Sequence, residues 1–168
     1  MKQVVERKRN RLEGYDYSLE GAYFITICTD KKSKVFWEYK KDPCKKLSPI
    51  DTFGENDVDF SEAGKIVDNE INRISTVYEG VDIVKYCIMP DHIHMIIVLS
   101  GGVDVSKPSV SRVINQFKGA VSKKLGVSIW QRSFHDRIIR GEKELQDCWK
   151  YIDMNMLKWA WDEHGTTF

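Results

Sequence analysis

The sequence predicts a single-domain protein of the α+β class. Four stretches rich in β-branched and aromatic residues are interspersed with three stretches in which apolar residues recur at helical spacing. The chain has 168 residues, of which 42% are hydrophobic, and this is enough to bury a core without stabilising cross-links. Its four cysteines show no Cys-x-x-Cys spacing, so we expect reduced thiols in a reducing compartment.

The elements follow one another in the order β-α-β-β-α-β-α. They are a strand at 22–29, a helix from the N-cap Ser61 to about residue 78, strands at 81–89 and 92–99 joined by a turn at Pro90-Asp91, a helix between Ser109 and Gly126, a strand within 129–140 and a helix from 142 to about 163. The first six match a ferredoxin-like split βαβ antiparallel sheet with helices on one side, and the last is an added C-terminal helix.

Charge is unevenly distributed over a nearly neutral chain. The net charge is +1, with basic residues gathered in an N-terminal arm, residues 1–20, and again between residues 112 and 140. Such clusters are as typical of a solvated surface as of a phosphate-binding one. Residues 31–60 lack periodicity and are interpreted as an insertion or a long loop. No apolar run approaches the roughly 20 residues of a membrane span and no signal peptide is recognised, which favours a cytoplasmic location.

A histidine pair begins the third predicted strand. Side chains alternate along a strand, so His92 and His94 project from one face, while Ile93 and Met95 cover the other. Two imidazoles at this spacing are able to bind one metal ion. They are equally compatible with two ordinary half-buried histidines that have hydrogen-bond partners.

A tyrosine and an asparagine share one face of the predicted C-terminal helix. Tyr151 and Asn155 are four residues apart and lie about 100° from the centre of the apolar stripe, at the rim between core and solvent. At the rim, the Asn155 amide oxygen would reach a cation held by the histidines, and the Tyr151 phenol would face a phosphate on that cation. Without the histidines, an ordinary amphipathic-helix residue would be the better interpretation of Tyr151.

Five separated motifs, in order, resemble the bacterial single-tyrosine HUH transposases, in particular the branch of REP-associated tyrosine transposases. They are Gly14-Tyr15-Asp16-Tyr17, the run 21–26, Met89-Pro90-Asp91-His92-Ile93-His94, Trp130-Gln131-Arg132 with 134–140, and Tyr151-Ile152-x-x-Asn155. The resemblance spans nearly the whole chain, so residues 1–168 are interpreted as one transposase-like HUH endonuclease domain. One departure is Met156, where relatives commonly have proline.

The resemblance implies a metal-dependent enzyme that cuts and rejoins single-stranded DNA. It implies that His92, His94 and Asn155 bind Mg²⁺ or Mn²⁺, and that Tyr151 attacks a phosphodiester to form a 5′-phosphotyrosyl link. The implied partner is DNA with an imperfect hairpin, bound by a monomer or a homodimer. Candidate DNA-binding residues are Arg7, Lys8, Arg9, Arg11, Arg112, Lys118, Lys123, Arg132, Arg137 and Arg140, and candidate residues behind the metal ligands are His135 and Asp136.

Two other functions remain open from the sequence. One is a domesticated DNA-hairpin-binding protein that keeps the fold and has little or no cleavage activity. The other is a small metal-dependent phosphohydrolase in which water, rather than tyrosine, attacks the phosphate. The histidine pair alone does not distinguish among the three.

Overall fold

The structure, a computed structural model, describes residues 14–40, 58–101 and 108–164. The strands are β1 (Gly21–Cys28), β2 (Trp37–Tyr39), β3 (Val58–Phe60), β4 (Val81–Ile88), β5 (His92–Leu99) and β6 (His135–Ile139), and the helices are α1 (Glu62–Val77), α2 (Val110–Leu125) and α3 (Glu142–His164). No helix in these ranges has the length and apolar composition that a bilayer-spanning segment requires.

Four strands form one antiparallel sheet in the order β4-β5-β1-β6. This is the strand order of the ferredoxin-like split βαβ arrangement, so the predicted fold class is confirmed. The predicted third strand coincides with β5 at both ends. Because β5 and β1 are the two central strands, the histidine pair lies on a central strand of the sheet, at the end where β5 begins.

Helices α1 and α2 cover one face of the sheet, which we call the core face. Ile93, Met95 and Ile97 of β5 point to this face and are fully buried. Both helices begin at the predicted serines, because the Ser61 hydroxyl accepts from the Gly64 amide at 3.1 Å and the Ser109 hydroxyl accepts from the Arg112 amide at 3.3 Å.

Helix α3 covers part of the opposite face, which we call the site face. Cys148 and Ile152 pack there against Ile96 of β5 and Ile139 of β6. The position of Asn155 differs from the prediction: it is 7% exposed and lies in the buried stripe rather than at its rim. The stripe is rotated because the sheet beneath it is partly polar, so α3 turns a polar residue inward and leaves Trp149 38% exposed.

The predicted insertion at 31–60 contains a small second sheet. Strands β2 and β3 pair antiparallel, with Trp37 opposite Phe60, while residues 41–57 lie outside the described residues. The segment before β2 is bound to the turn that precedes the histidines, because the amides of Val35 and Phe36 donate to the Pro90 carbonyl at 2.9 and 3.1 Å. This part of the chain therefore lies beside the histidine end of the main sheet.

Candidate active site

The two histidines face each other at the start of β5. Their Nε2 atoms are 3.1 Å apart, and their ring planes are 76° from parallel. In the strand register, Thr26 and Cys87 lie on either side of His94, on β1 and β4, and Cys28 lies opposite His92. The sheet itself thus brings both imidazoles to one point on the site face, as the alternation along the strand predicted.

Each imidazole is held by a second hydrogen bond through its other nitrogen. His92 Nδ1 lies 2.5 Å from a carboxylate oxygen of Asp91, and His94 Nδ1 lies 2.8 Å from the Thr26 hydroxyl. An ionised carboxylate only accepts hydrogen bonds, so His92 carries its proton on Nδ1 and presents the Nε2 lone pair when neutral. The Asp91 carbonyl is fixed in turn by the amide and hydroxyl of Thr29, each at 2.9 Å.

Burial keeps His94 uncharged. The residue is 5% exposed, and burial together with the nearby His92 lowers the pKa of His94 from 6.5 to about 3. Near neutral pH it therefore presents a lone pair rather than a positive charge. A neutral ring is what a metal ion requires of a histidine ligand.

Tyr151 lies against the histidines of its own chain. Its ring centroid is 5.2 Å from that of His94 and 5.8 Å from that of Phe24, both in edge-to-face contact. The residue is nevertheless 44% exposed, so one side of its ring contacts the site while the rest faces solvent. This position combines proximity to the imidazoles with access for a large substrate.

Asn155 follows Tyr151 by one helical turn and is buried. Its Nδ2 atom has no hydrogen-bond partner among the residues that the structure describes. The amide oxygen and nitrogen exchange places by rotation about one bond, so this position can offer either a donor or an acceptor. A buried amide with an unused polar atom is costly unless another group completes it.

These residues fit a divalent metal ion. The described parts of the chain contain no group of three His, Cys, Asp or Glu side chains placed to hold a metal. A third protein ligand to the histidine pair would therefore be of another type, and the Asn155 amide oxygen is one. Neighbouring ligands about 2.1 Å from an octahedral ion are roughly 3.0 Å apart, close to the 3.1 Å between the Nε2 atoms. Imidazole nitrogens with an amide oxygen suit Mn²⁺ better than Mg²⁺.

Strand β6 contributes predicted site residues to both faces of the sheet. His135 is exposed and pairs with Thr26, which places it on the site face in the same cross-strand row as His94. Arg137, whose side chain is 64% exposed, pairs with Phe24 on the same face. Asp136 pairs with Ile25 and therefore points to the core face, so the prediction that it lies behind the metal ligands was wrong.

The candidate DNA-binding residues that lie in the described ranges do not form one surface. Arg112 and Lys123 are exposed on α2, across the sheet from the histidines, and Arg132 and Arg140 are exposed at the two ends of the β6 region. Residues 7–11 lie outside the described residues. Lys118 does not lie where a DNA contact was predicted. It is 8% exposed, and its ammonium donates to the Gln131 carbonyl at 2.6 Å. Burial lowers its pKa, and its role is to hold the segment before β6.

Three residues of the site were not singled out from the sequence. Asp91 and Thr26 orient the two imidazoles, and Phe24 forms the surface on which Tyr151 and His94 pack, its ring 5.3 Å from that of His94. A carboxylate immediately before a histidine is a visible signal for the first. The other two become visible only once β1 is aligned with β5, which requires the strand register.

Comparisons with known proteins agree with this architecture. Residues 67–155, more than half of the chain, match the family model described as Transposase IS200 like. An uncharacterised protein of Haemophilus influenzae is 25% identical over 95% of this chain and 93% of its own length. A second protein of that organism, provisionally named a REP-associated tyrosine transposase, is 29% identical over 55% of this chain and 62% of its own.

A solved structure shares the fold. It is that of a REP-associated tyrosine transposase bound to a REP hairpin, at 20% identity and a TM-score of 0.60, covering 90% of this chain and 76% of that one. The family model spans α1 from Val67 onward, the hairpin with both histidines, and α3 as far as Asn155. This chain belongs to the IS200-like transposase family.

Proposed function

We propose that the protein is a divalent-metal-dependent enzyme that nicks and rejoins single-stranded DNA through Tyr151. The observation that carries the proposal is the edge-to-face contact between Tyr151 and His94, 5.2 Å between centroids, within one chain. It places a phenol beside two imidazoles whose Nε2 atoms lie 3.1 Å apart.

The reaction uses the phenol oxygen as a nucleophile. Tyr151 Oη attacks the phosphorus and loses its proton to water, the bond from phosphorus to the 3′ oxygen breaks, and that oxygen takes up a proton as a free hydroxyl. The product is a 5′-phosphotyrosyl link. Attack by a 3′-hydroxyl on the same phosphorus reverses the step, so one phosphodiester replaces another and no high-energy cofactor is needed.

His92, His94 and Asn155 are the proposed metal ligands. When bound there, a divalent ion would withdraw charge from the phosphodiester and stabilise the departing oxygen. The chain's own contribution is to keep His94 neutral through burial and to orient both imidazoles through the bonds to Asp91 and Thr26. Phe24 fixes the ring of Tyr151 from the side opposite the solvent.

DNA carrying a hairpin with a single-stranded flank is the proposed substrate. The solved relative of the same fold is bound to a REP hairpin, which supports the choice. On this chain, His135 and Arg137 are exposed beside Tyr151 on the site face, where they are available to a phosphate backbone.

A labelled hairpin with single-stranded flanks, incubated with Mn²⁺, tests the proposal. We expect a covalent protein–DNA product from the wild type and none from Tyr151→Phe. Tyr78→Phe is a matched control, because Tyr78 follows α1 on the other side of the sheet. His92→Ala should abolish the product while leaving most of the hairpin affinity, since phosphate contacts supply much of it.

The other outcomes identify the alternatives. Tight hairpin binding without product from the wild type would indicate a hairpin-binding protein without cleavage activity. Cleavage that survives Tyr151→Phe would indicate hydrolysis by water. Because Tyr151 contacts His94 of its own chain, we further expect that mixing His92→Ala with Tyr151→Phe restores no activity, which would distinguish a site within one chain from one shared by a dimer.

A further inference from the structure

We propose that Trp37 and Trp159 form a brace that positions the Tyr151 helix over the histidines, a role that rests on the proposed function of Tyr151. The indole rings of the two residues meet edge to face with 5.1 Å between centroids. Trp37 belongs to β2 in the 31–60 region and Trp159 to the second half of α3. The brace is thus the contact between the small sheet and the helix that carries the nucleophile.

The Trp37 side of the brace is fixed to the histidine end of the main sheet. Trp37 is 5% exposed, and its Nε1 donates to the carbonyl of Ile88, the last residue of β4, at 2.8 Å. Its neighbour Phe36 is fully buried and donates its amide to the carbonyl of Pro90, two residues before His92. One short segment therefore contacts the turn before the histidines and the helix of the tyrosine.

The part of α3 beyond Ile152 requires a contact such as that between Trp159 and Trp37. Ile152 is the last apolar anchor of α3 in its packing cluster, and the next inward residue, Asn155, offers a polar amide instead. Trp159 lies one turn beyond Asn155 and about 12 Å along the axis from Tyr151. It is half-buried, and Lys34 Nζ lies 5.4 Å from its ring centroid. Without this packing, the helix beyond Ile152 would fray toward solvent.

Fraying beyond Ile152 would displace Asn155 directly and break the helical bond from its amide to the Tyr151 carbonyl, which loosens the turn of Tyr151. Asn155 lies about one turn and Tyr151 just over two turns before Trp159, so a shift of the helix end changes the distance of both from the imidazoles. Misplacement of a reacting group by about 1 Å costs on the order of 100-fold in rate. Trp37 and Trp159 would then act through Tyr151 and Asn155 without touching DNA, which makes them positioning residues.

The first test uses the protein without DNA. Hydrogen exchange of the amides at 153–159 should speed up by at least tenfold in Trp159→Ala and remain within twofold of wild type in Trp149→Ala. Trp149 is the matched control, because it is a tryptophan of the same helix that is 38% exposed and contacts Lys85 on the β4 side instead. Unchanged exchange in Trp159→Ala would overturn the proposal.

The second test follows formation of the covalent DNA product. Trp159→Ala should reduce its rate 10- to 100-fold with hairpin affinity within twofold of wild type, whereas Trp159→Phe, which keeps a ring against Trp37, should recover most of the rate. Trp37→Phe keeps a ring and loses the bond to Ile88. Its rate of product formation should lie between the rates of Trp159→Ala and Trp159→Phe. Equal losses in Trp159→Ala and Trp149→Ala would refute a specific brace.

The two proposals fail in different ways. If the wild type forms no covalent product, the proposed function fails, and the exchange measurement still decides whether the brace holds α3. If the product forms and is lost in Tyr151→Phe, but Trp159→Ala keeps the full rate, the brace fails while the proposed function stands.

Discussion

The two faces of the central sheet come from the same strands but differ in the residues that they carry. Ile96 and Ile97 are adjacent on β5 and both fully buried, yet Ile97 belongs to the large core under α1 and α2, whereas Ile96 belongs to a cluster of four buried residues under α3. The core face is almost entirely apolar. The site face carries three histidines and a threonine among its apolar residues, with an inward asparagine on the helix that covers it.

This difference separates stability from chemistry. A face closed by two helices buries apolar area on both sides of every contact and supplies most of the hydrophobic stabilisation. A face covered by one helix has room to hold polar atoms at a cost, because buried polar groups without complete partners are unfavourable. The polar residues of the site face are tolerated because the core face stabilises the sheet that carries them.

Truncating the two adjacent isoleucines tests the separation most strongly. Ile97→Ala should lower the free energy of unfolding by about 4 kcal/mol and Ile96→Ala by about 2 kcal/mol, because a cavity under a single helix collapses more easily than one inside a two-helix core. Urea unfolding followed by circular dichroism measures both. Equal losses would mean that α3 closes its face as tightly as α1 and α2 close theirs.

Acid should destabilise the site face through His94. The pKa of His94 is lowered by burial and by His92 to about 3 in the folded chain, against 6.5. As the pH falls below 6.5 the unfolded chain takes up this proton first, so folding stability is lost from there down to about pH 3. Between pH 7 and 4.5 the wild type should lose about 2–3 kcal/mol more than His94→Gln.

Urea unfolding of both proteins at the two pH values gives this difference directly. Other acid-sensitive groups are common to the two proteins and largely cancel, among them Glu70, whose pKa burial alone would raise but hydrogen bonds from Lys124 and Arg73 lower. Parallel pH profiles for wild type and variant would show that His94 takes up its proton in the folded chain.

The next effect is on metal affinity. Asp91→Asn keeps a hydrogen-bond acceptor beside His92 Nδ1 but removes the charge that favours a protonated Nδ1 and a basic Nε2, so Mn²⁺ affinity should fall about tenfold. Asp153→Asn is the matched control, since the Asp153 carboxylate pairs with Lys85 of β4 instead of a histidine. Calorimetric titration of both variants with Mn²⁺ measures the change, and equal affinities would contradict the role assigned to Asp91.

Local patterns were sufficient to predict most of the fold. The serine caps of α1 and α2, the hairpin around Pro90 and the alternation along β5 are all encoded within a few residues of one another, and each was confirmed. The strand order followed from the succession of elements. What the sequence could not supply was the rotation of α3, because that depends on which residues of β1 and β5 lie beneath the helix.

The candidate site was predicted only in part, because some of its residues are brought together by tertiary packing. The histidine pair is a local pattern, whereas the partners of the imidazoles come from the turn and from another strand, and Asn155 is buried by tertiary packing. Lys118 shows the opposite error. A lysine on an amphipathic helix resembles a DNA contact, but its position beside the chain segment before β6 buries the ammonium against carbonyl oxygens.

The smallest expected effect concerns DNA binding and compares these two kinds of basic residue. Arg137→Ala removes an exposed guanidinium from the site face, so the slope of log affinity against log salt concentration for a hairpin should decrease by about 1. Lys118→Met removes an ammonium that is already bound to main-chain carbonyls on the other side of the sheet, so the slope should stay unchanged even if stability falls. Fluorescence anisotropy across a series of salt concentrations measures both slopes. A reduced slope for Lys118→Met would place DNA on the core side as well, and the division of the sheet into one stabilising and one functional face would then fail.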